Sequence, residues 1–363
     1  MTRRPVLLAL LAALAAPAAA AAQDRVDFLD RAKGQPTYRT GTIASEDPAK
    51  VVIISGINKA KIEIPTADIT DVRYEVEPPE GAQARTAERL KQFDKALQLY
   101  KDAAAKLKPG NPYALAHLRF KAAKLTALQA EAGSATDRQV AIVELRRFLK
   151  DFPDSRHSID ALDTLSRLLL ADGQSPQEVV DAFRALRTKY ADRKEITSRC
   201  DLFESQLLVQ EAENLLKDQP DAARKKYEEA LQKFESMLKD ADKATAMDIK
   251  INAAQCKAAL GRHAEAIKDL EAILKEATDD RTRAAAYLGR GDCYRLNGQF
   301  REAMWDYLWV DVVYHQDREQ TAKALYHLAE VFERLGDPER ARQSRERLNK
   351  DYKDTRYQKL LKG

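Results

Sequence analysis

The chain has 363 residues, of which 33% are charged, and a net charge of +4 from 61 basic and 57 acidic residues. This length allows two or more domains or one long repeat array. The nearly balanced charge argues against nucleic acid as the main partner, because such a protein needs a basic face.

The first 22 residues have the pattern of an export signal. The basic start Arg3-Arg4 is followed by an apolar run to about Leu14 and by small residues up to Ala22. The run is too short for a membrane span of about 20 residues. The sequence therefore predicts a signal peptide at residues 1–22, no transmembrane anchor, and an exported chain that is periplasmic or secreted. An uncleaved N-terminal anchor is the alternative.

Residues 23–76 differ in kind from the rest of the chain. The run 51–54 is β-branched, and residues 61–64 and 72–76 alternate apolar and polar side chains around turn signals. This predicts a small all-β module of four or five strands, which must close or pack on something to be stable. The module resembles SH3-like or Sm-like barrels. The Sm-like family implies RNA binding, but predicted export and mixed charge argue against it. The module has two alternative roles, which are to cap the first helical hairpin or to bind a partner independently.

Residues 77–84, which contain Pro78, Pro79 and Gly81, are predicted to be a linker. The composition from residue 85 to residue 363 is helical, rich in Ala, Leu, Lys, Glu and Gln. The apolar spacing and the turn residues in this part predict about seven helical hairpins. The fold class is therefore mainly α, with a small barrel-like β module in front.

Three segments near the C-terminus repeat one pattern, a glycine followed five residues later by an alanine. The pairs are Gly261 and Ala266, Gly298 and Ala303, and Gly336 and Ala341. Glycine supplies the left-handed turn, and alanine allows two antiparallel helices to approach closely. A period of 37 to 38 residues predicts a solenoid of stacked hairpins, clearest at residues 247–280, 284–317 and 322–355.

The pattern resembles the tetratricopeptide repeat family. The middle copy has Tyr287, Gly291 and Tyr294 at the family's large, small and aromatic positions, and departs from it with Arg290 at the leucine position. The first copy has Lys257 at the aromatic position. The resemblance implies an α-solenoid whose first helices line a concave groove for peptides or proteins.

Two helix junctions resemble those in repeats of exported bacterial envelope proteins, such as outer-membrane assembly and cell-division coordinator factors. One is Phe152-Pro153-Asp154-Ser155, and the other, at residues 351–357, has Lys353 in place of the proline. This resemblance implies envelope proteins as partners without identifying one.

The sequence contains no catalytic motif, and its five histidines lack the spacing of metal ligands. We therefore expect no enzymatic activity, no metal and no cofactor; an enzyme with an unrecognised active site is the alternative. Cys256 and Cys293 occupy equivalent slots of adjacent repeats, about 8–10 Å apart by helix packing distance. That separation favours buried thiols over a disulfide.

The resemblance implies which residues contact a partner in the groove. These are the positions between the packing residues of the first helices: Asp248, Ile251, Gln255, Leu288, Asp292, Arg295, Lys323, Tyr326, Glu330 and Arg334. They form a mixed surface that suits a helix or extended segment of a protein partner. Plain solvated helix faces are the alternative interpretation.

Trp305 and Trp309 are a second candidate site. They lie four residues apart, on the side of their helix away from Ala303. Exposed tryptophans indicate an interface, so a convex aromatic patch is expected unless neighbouring helices bury both rings. With Tyr307, they would suit a cell-wall or small-ligand binding module, which is the alternative function.

Overall fold

A computed structural model of the chain describes residues 23–30, 33–132, 135–172, 174–216, 218–239, 241, 243–315, 317–353 and 355–362. The predicted signal peptide at residues 1–22 lies outside the described residues.

The N-terminal module is an antiparallel sheet of five strands in the order β4-β3-β2-β1-β5. The strands are β1 (Asp24–Asp30), β2 (Gln35–Glu46), β3 (Lys50–Ser55), β4 (Lys61–Pro65) and β5 (Ile69–Arg73). A 3₁₀ turn, Thr66–Asp68, connects β4 to β5. In register, Asp24 lies opposite Gly41 and Val26 lies opposite Val72. The predicted β content is therefore present.

The sheet is open rather than a closed barrel. Strands β4 and β5 are its two edges, and no ladder joins them within the described part of the module. The buried face carries β-branched residues such as Val26 and Ile53, and it packs against Leu107, Tyr113 and Ala114 from the helical region. The helices thus supply the cover that barrel closure would otherwise provide.

Fifteen α-helices follow in the described chain. They are α1 (Pro79–Arg89), α2 (Phe93–Lys106), α3 (Pro112–Ala132), α4 (Ala135–Asp151), α5 (Ser158–Ala171), α6 (Gln177–Lys189), α7 (Lys194–Leu215), α8 (Pro220–Met237), α9 (Lys243–Ala259), α10 (His263–Glu276), α11 (Asp280–Leu296), α12 (Phe300–Leu308), α13 (Arg318–Arg334), α14 (Pro338–Asp351) and α15 (Arg356–Lys362). A π-helical turn, Trp309–Val313, extends α12.

Helices α1 to α14 pair in order into seven hairpins, and α15 packs on the last of them. The prediction of a mainly α solenoid is therefore confirmed. The turn glycines Gly261, Gly298 and Gly336 all have φ between 74° and 80°. The alanines that follow them, Ala266, Ala303 and Ala341, are fully buried. Both observations agree with the roles that the repeat pattern gives to these residues.

The predicted linker at residues 77–84 is largely helical. Helix α1 begins at Pro79, because proline is well suited to the first helical position, where no backbone donor is needed. Gly81 is part of this helix, and a Cβ at this position would lie 1.9 Å from Oε1 of Glu77. The Glu77 carboxylate accepts hydrogen bonds of 2.7 and 2.8 Å from Nη1 of Arg85. Here glycine indicates close side-chain packing rather than a flexible linker.

A buried polar cluster joins the sheet to the solenoid. The Tyr74 hydroxyl donates to Oε2 of Glu46 over 2.6 Å, and Nε of Arg156 lies 3.2 Å from Oε1 of the same carboxylate. Nη2 of Arg156 is 2.9 Å from Nδ1 of His117, which lies 3.0 Å from Nε2 of His157. Arg156 and His157 precede α5, and His117 lies on α3. The module is therefore attached to the second and third hairpins.

Candidate functional site

The first helices of successive hairpins form a continuous inner wall. A cavity of about 370 Å³ is lined by side chains from α3, α5, α7, α9 and α11. Its lining includes Lys124, Asp160, Asp163, Arg167, Arg199, Gln206, Gln210, Asp248 and Arg281. Every helix in this set is the first of its hairpin, because the second helices lie on the outer side of the solenoid. We refer to this surface as the inner wall.

Charges of opposite sign alternate along the inner wall. Arg199 of α7 donates a hydrogen bond to Oδ2 of Asp163 on α5 and lies 3.7 Å from Oδ1 of Asp160. Desolvation raises the pKa of Asp163, and the Arg199 guanidinium opposes that rise. Asp248 of α9 and Arg281 of α11 continue the alternation and are exposed. The wall therefore offers donors and acceptors in alternation rather than one dominant charge.

Four predicted groove residues form a network between α11 and α13. Nζ of Lys323 lies 2.7 Å from Oδ2 of Asp292, and Nη1 of Arg295 lies 3.2 Å from Oε2 of Glu330. Burial raises the pKa of Asp292, but the Lys323 ammonium and the nearby His327 outweigh it, so the pKa lies below its usual value. These side chains pair with each other across neighbouring hairpins.

Two predicted groove residues do not reach the groove. Ile251 packs with Ala254 and Ala286, and Leu288 packs with Ala303 and Leu325. Both side chains are 6% exposed. The first helices lie so close to both neighbouring hairpins that these apolar positions face the core. The prediction that they contact a partner is therefore corrected.

The remaining predicted groove residues keep some access to solvent. Asp248 and Arg334 are exposed, and Gln255 and Tyr326 are partly buried. Tyr326 packs against Tyr357 of α15, with ring centroids 5.7 Å apart. The C-terminal helix thus covers part of the surface that the sequence assigns to a partner.

Several inner-wall residues were not predicted from the sequence. Asp163 and Arg199 lie in the early hairpins, whose repeat pattern is degenerate, but they are 36 residues apart, which is close to one repeat period. Extending the groove register backwards from the clear repeats would have pointed to them. The contacts of Arg356 had no such signal, because its partner Glu213 is 143 residues away.

The two tryptophans lie on the outer surface. Trp305 is 59% exposed and Trp309 is 43% exposed, so neighbouring helices do not bury them. The Trp309 ring stacks on Tyr287, with centroids 5.6 Å apart and planes inclined by 15°. Tyr307 is fully buried instead, with its hydroxyl 2.7 Å from Oδ1 of Asp292. Tyr307 therefore cannot belong to an aromatic platform with the tryptophans.

Cys200, Cys256 and Cys293 are buried free thiols, and burial raises the pKa of each to about 12. Among the described residues, no group of three or more His, Cys, Asp and Glu side chains is placed to hold a metal ion. None of the helices within the described ranges is both long and apolar enough to cross a membrane.

Residues 323–355 match the family model of the tetratricopeptide repeat, a range that overlaps the predicted repeat at residues 322–355. No relative of this chain was found among curated proteins. Similar solved structures include a tetratricopeptide repeat protein from Parabacteroides merdae ATCC 43184, with 18% identity, a TM-score of 0.49, and coverage of 78% of this chain and 96% of that chain. NprR in complex with its cognate peptide NprX has 15% identity, a TM-score of 0.47, and coverage of 78% and 80%. The apo form of RapI has 11% identity, a TM-score of 0.33, and coverage of 78% and 79%. By the family model, residues 323–355 are a tetratricopeptide repeat, and they lie in the α-solenoid of paired helices that follows the N-terminal sheet.

Proposed function

We propose that the chain is a non-catalytic scaffold that binds protein partners along its inner wall. One observation carries the proposal: side chains from five successive first helices converge on one cavity, and several of them are exposed to solvent. Solenoids use concave surfaces of this kind to bind extended partners. The exposed residues of the wall are Lys124, Asp160, Arg167, Gln206, Asp248 and Arg281.

The chemistry of the wall indicates what kind of segment it would take. Both charge signs are present, and apolar side chains such as Leu170 and Leu207 lie between the charged ones. A helix or an extended peptide with charges of both signs and intervening apolar residues would match this surface. Asp292, Arg295, Lys323 and Glu330 stay within the proposed site, but a partner would have to compete with their mutual ion pairs.

The proposal is tested by crosslinking from a photoreactive amino acid at Gln206, which is exposed and lines the inner wall. We expect a discrete crosslinked protein from this position in intact cells. The matched control is Arg342, which is exposed on α14 and pairs with Glu339 and Glu346 of its own helix. Equal products from both positions, or none from Gln206, would refute binding along the inner wall.

We further propose that the chain acts in a bacterial envelope after export. The basic start, the short apolar run and the small residues up to Ala22 support this location. Sequencing the N-terminus of the protein purified from cells tests it, with Gln23 as the expected first residue. A chain that begins at Met1 and stays in the cytoplasmic fraction would overturn the export proposal and leave inner-wall binding untouched.

The exposed tryptophans favour a second candidate function, binding of a cell-wall fragment or another small ligand. Trp305 and Trp309 are the only tryptophans in the sequence, so intrinsic tryptophan fluorescence reports on this patch alone. Titration with soluble peptidoglycan fragments would quench or shift the emission if the patch binds them. The scaffold proposal predicts unchanged emission in that titration.

A further inference from the structure

The solenoid curves until hairpins that are distant in sequence touch. Helix α13 contacts α3, and α15 reaches α7. Nη1 of Arg356 on α15 donates to Oε2 of Glu213 on α7 over 3.2 Å. The backbone N–H of Arg356 donates to Oε2 of Glu319 on α13, also over 3.2 Å, and so holds α15 on its own hairpin. We refer to the contacts of α15 with α7 and of α13 with α3 as the seam. In a solenoid, each hairpin otherwise packs on its sequence neighbours.

A second, open cavity lies beside the seam and is continuous with the inner wall. This cavity also measures about 370 Å³, and its lining combines α5 and α7 with Asp317, Glu319, Arg356 and Tyr357. Four residues line both this cavity and the inner-wall cavity: Arg167, Leu170, Gln206 and Gln210. With the seam closed, Arg167 and Gln206 are already exposed, whereas Leu170 and Gln210 are partly buried. Access to Leu170 and Gln210 therefore depends on whether α15 stays against α7.

The chemistry of the seam makes it easier to separate than the packing within a hairpin. The side chains of Arg356 and Glu213 are 50% and 41% exposed, so water and salt screen their attraction. The contacts within hairpins, in contrast, bury residues such as Ala303, Tyr307 and Leu348 completely. Opening that moves α13 to α15 as one unit breaks the Arg356–Glu213 pair and the contact of α13 with α3, and it leaves the hairpin cores and the packing of α15 on α13 intact.

We infer that the seam is a gate, which covers one end of the inner wall when α15 lies on α7 and exposes it when the Arg356–Glu213 pair separates. The gate regulates the same inner wall, so its biological meaning rests on the proposed function. The movement itself involves no partner and can be measured on the purified chain.

The test measures the distance across the seam by pulsed electron paramagnetic resonance. Spin labels are attached at Asn214→Cys on α7 and Lys359→Cys on α15, two exposed positions beside the pair. The three native thiols are buried and react slowly, which favours selective labelling. We expect one short-distance peak at low salt. In Arg356→Glu the peak should be lost, and 1 M NaCl should weaken it.

Two further variants make the outcome decisive. The double reversal Glu213→Arg with Arg356→Glu restores an ion pair of opposite polarity and should restore the short-distance peak. Arg342→Glu makes the same charge change on α14, away from the seam, and should leave the peak unchanged. A peak that persists in Arg356→Glu, or that is absent from the unaltered seam at low salt, would overturn the gate.

Partner crosslinking separates failure of the gate from failure of the proposed function. The gate predicts a stronger crosslink from Gln210, which lines both cavities and is partly buried, in the Arg356→Glu background than in the native one. A crosslink of unchanged strength, despite loss of the short-distance peak, would reject the gate and keep the scaffold function. Absence of a crosslink from Gln206 in both backgrounds would reject inner-wall binding and, with it, the regulatory role of the seam.

Discussion

Charged residues that interrupt the repeat pattern pair with residues on the following helix. Arg290 stands at a leucine position of the resembled family, yet its Nε and Nη2 atoms each donate to the carboxylate of Asp306 over 2.8 Å. Lys257 stands at an aromatic position and lies 2.7 Å from Oδ2 of Asp269. In both cases the second helix of the hairpin supplies the matching acid.

Restoring the family residue at Arg290 should therefore destabilise the protein. Arg290→Leu leaves the carboxylate of Asp306, whose side chain is 4% exposed, without its partner. A loss of about 1–3 kcal/mol in unfolding free energy is expected. Part of that loss should return in Arg290→Leu with Asp306→Asn, which removes the buried charge. Urea denaturation measures both variants, and a more stable Arg290→Leu protein would contradict the pairing argument.

Ala303 tests the packing of the hairpins. It is fully buried beside Leu288 and Leu325, so Ala303→Leu should overpack the core and cost about 1–3 kcal/mol. The matched control is Ala264→Leu on α10, where the alanine is exposed and the change should stay within about 0.5 kcal/mol. Thermal unfolding compares the two, and similar melting temperatures would show that Ala303 is not a close-packing position.

At the scale of elements, the turns between paired helices share one geometry that the sequence only partly reveals. Lys91 has a φ of 57° and occupies the slot that glycine fills in the three clear repeats. The backbone N–H of the residue after this slot closes the same kind of turn in the first and sixth hairpins. Gln92 donates to the Ala87 carbonyl, and Gln299 donates to the Tyr294 carbonyl. A lysine at this slot gives no turn signal in the sequence.

Exchanging residues at this slot should shift stability in opposite directions. Lys91→Gly places glycine, which adopts the left-handed conformation without strain, where lysine now adopts it, and should stabilise the protein by about 0.5–1 kcal/mol. Gly298→Ala introduces the same strain and should cost a similar amount, since no heavy atom lies within 4 Å of the added Cβ. Denaturation midpoints measure both changes. Shifts of the same sign would contradict the shared geometry.

The attachment of the sheet to the solenoid should weaken in acid. Burial, and next the Arg156 guanidinium, hold the pKa values of His117 and His157 well below their usual range. The unfolded chain therefore binds protons below about pH 6.5 that the folded chain does not, so stability falls as pH falls. The unfolding free energy is expected to fall by roughly 1.4 kcal/mol for each histidine with every unit that the pH falls below about 6.5.

Melting temperatures between pH 7.5 and pH 5.5 measure this loss. His117→Gln removes one of the two titrating rings, so its melting temperature should depend less steeply on pH than that of the unaltered chain. An equal slope in both proteins would show that the cluster between sheet and solenoid is not the source of the acid sensitivity.

At the scale of the whole molecule, the sequence was informative where the structure is periodic. The glycine and alanine positions of the repeats follow from local helix geometry, and so they predicted the solenoid. The burial of Ile251 and Leu288 depends on how closely neighbouring hairpins pack. The pairing of Arg356 with Glu213 depends on the curvature of the whole array. Neither quantity is encoded in a short pattern, so the inner wall was predicted only in part.

The central claim is that the inner wall binds a protein partner through its charged side chains. The most direct measurement is photocrosslinking from Gln206 in cells, with and without the substitution Asp248→Arg. Asp248 is exposed on the same wall, so reversing its charge disturbs the surface without opening a core. We predict a discrete adduct that loses most of its intensity in the Asp248→Arg background. An adduct that forms equally well in both backgrounds, or one that forms only when the photoreactive residue is placed at Trp309 for comparison, would contradict the claim.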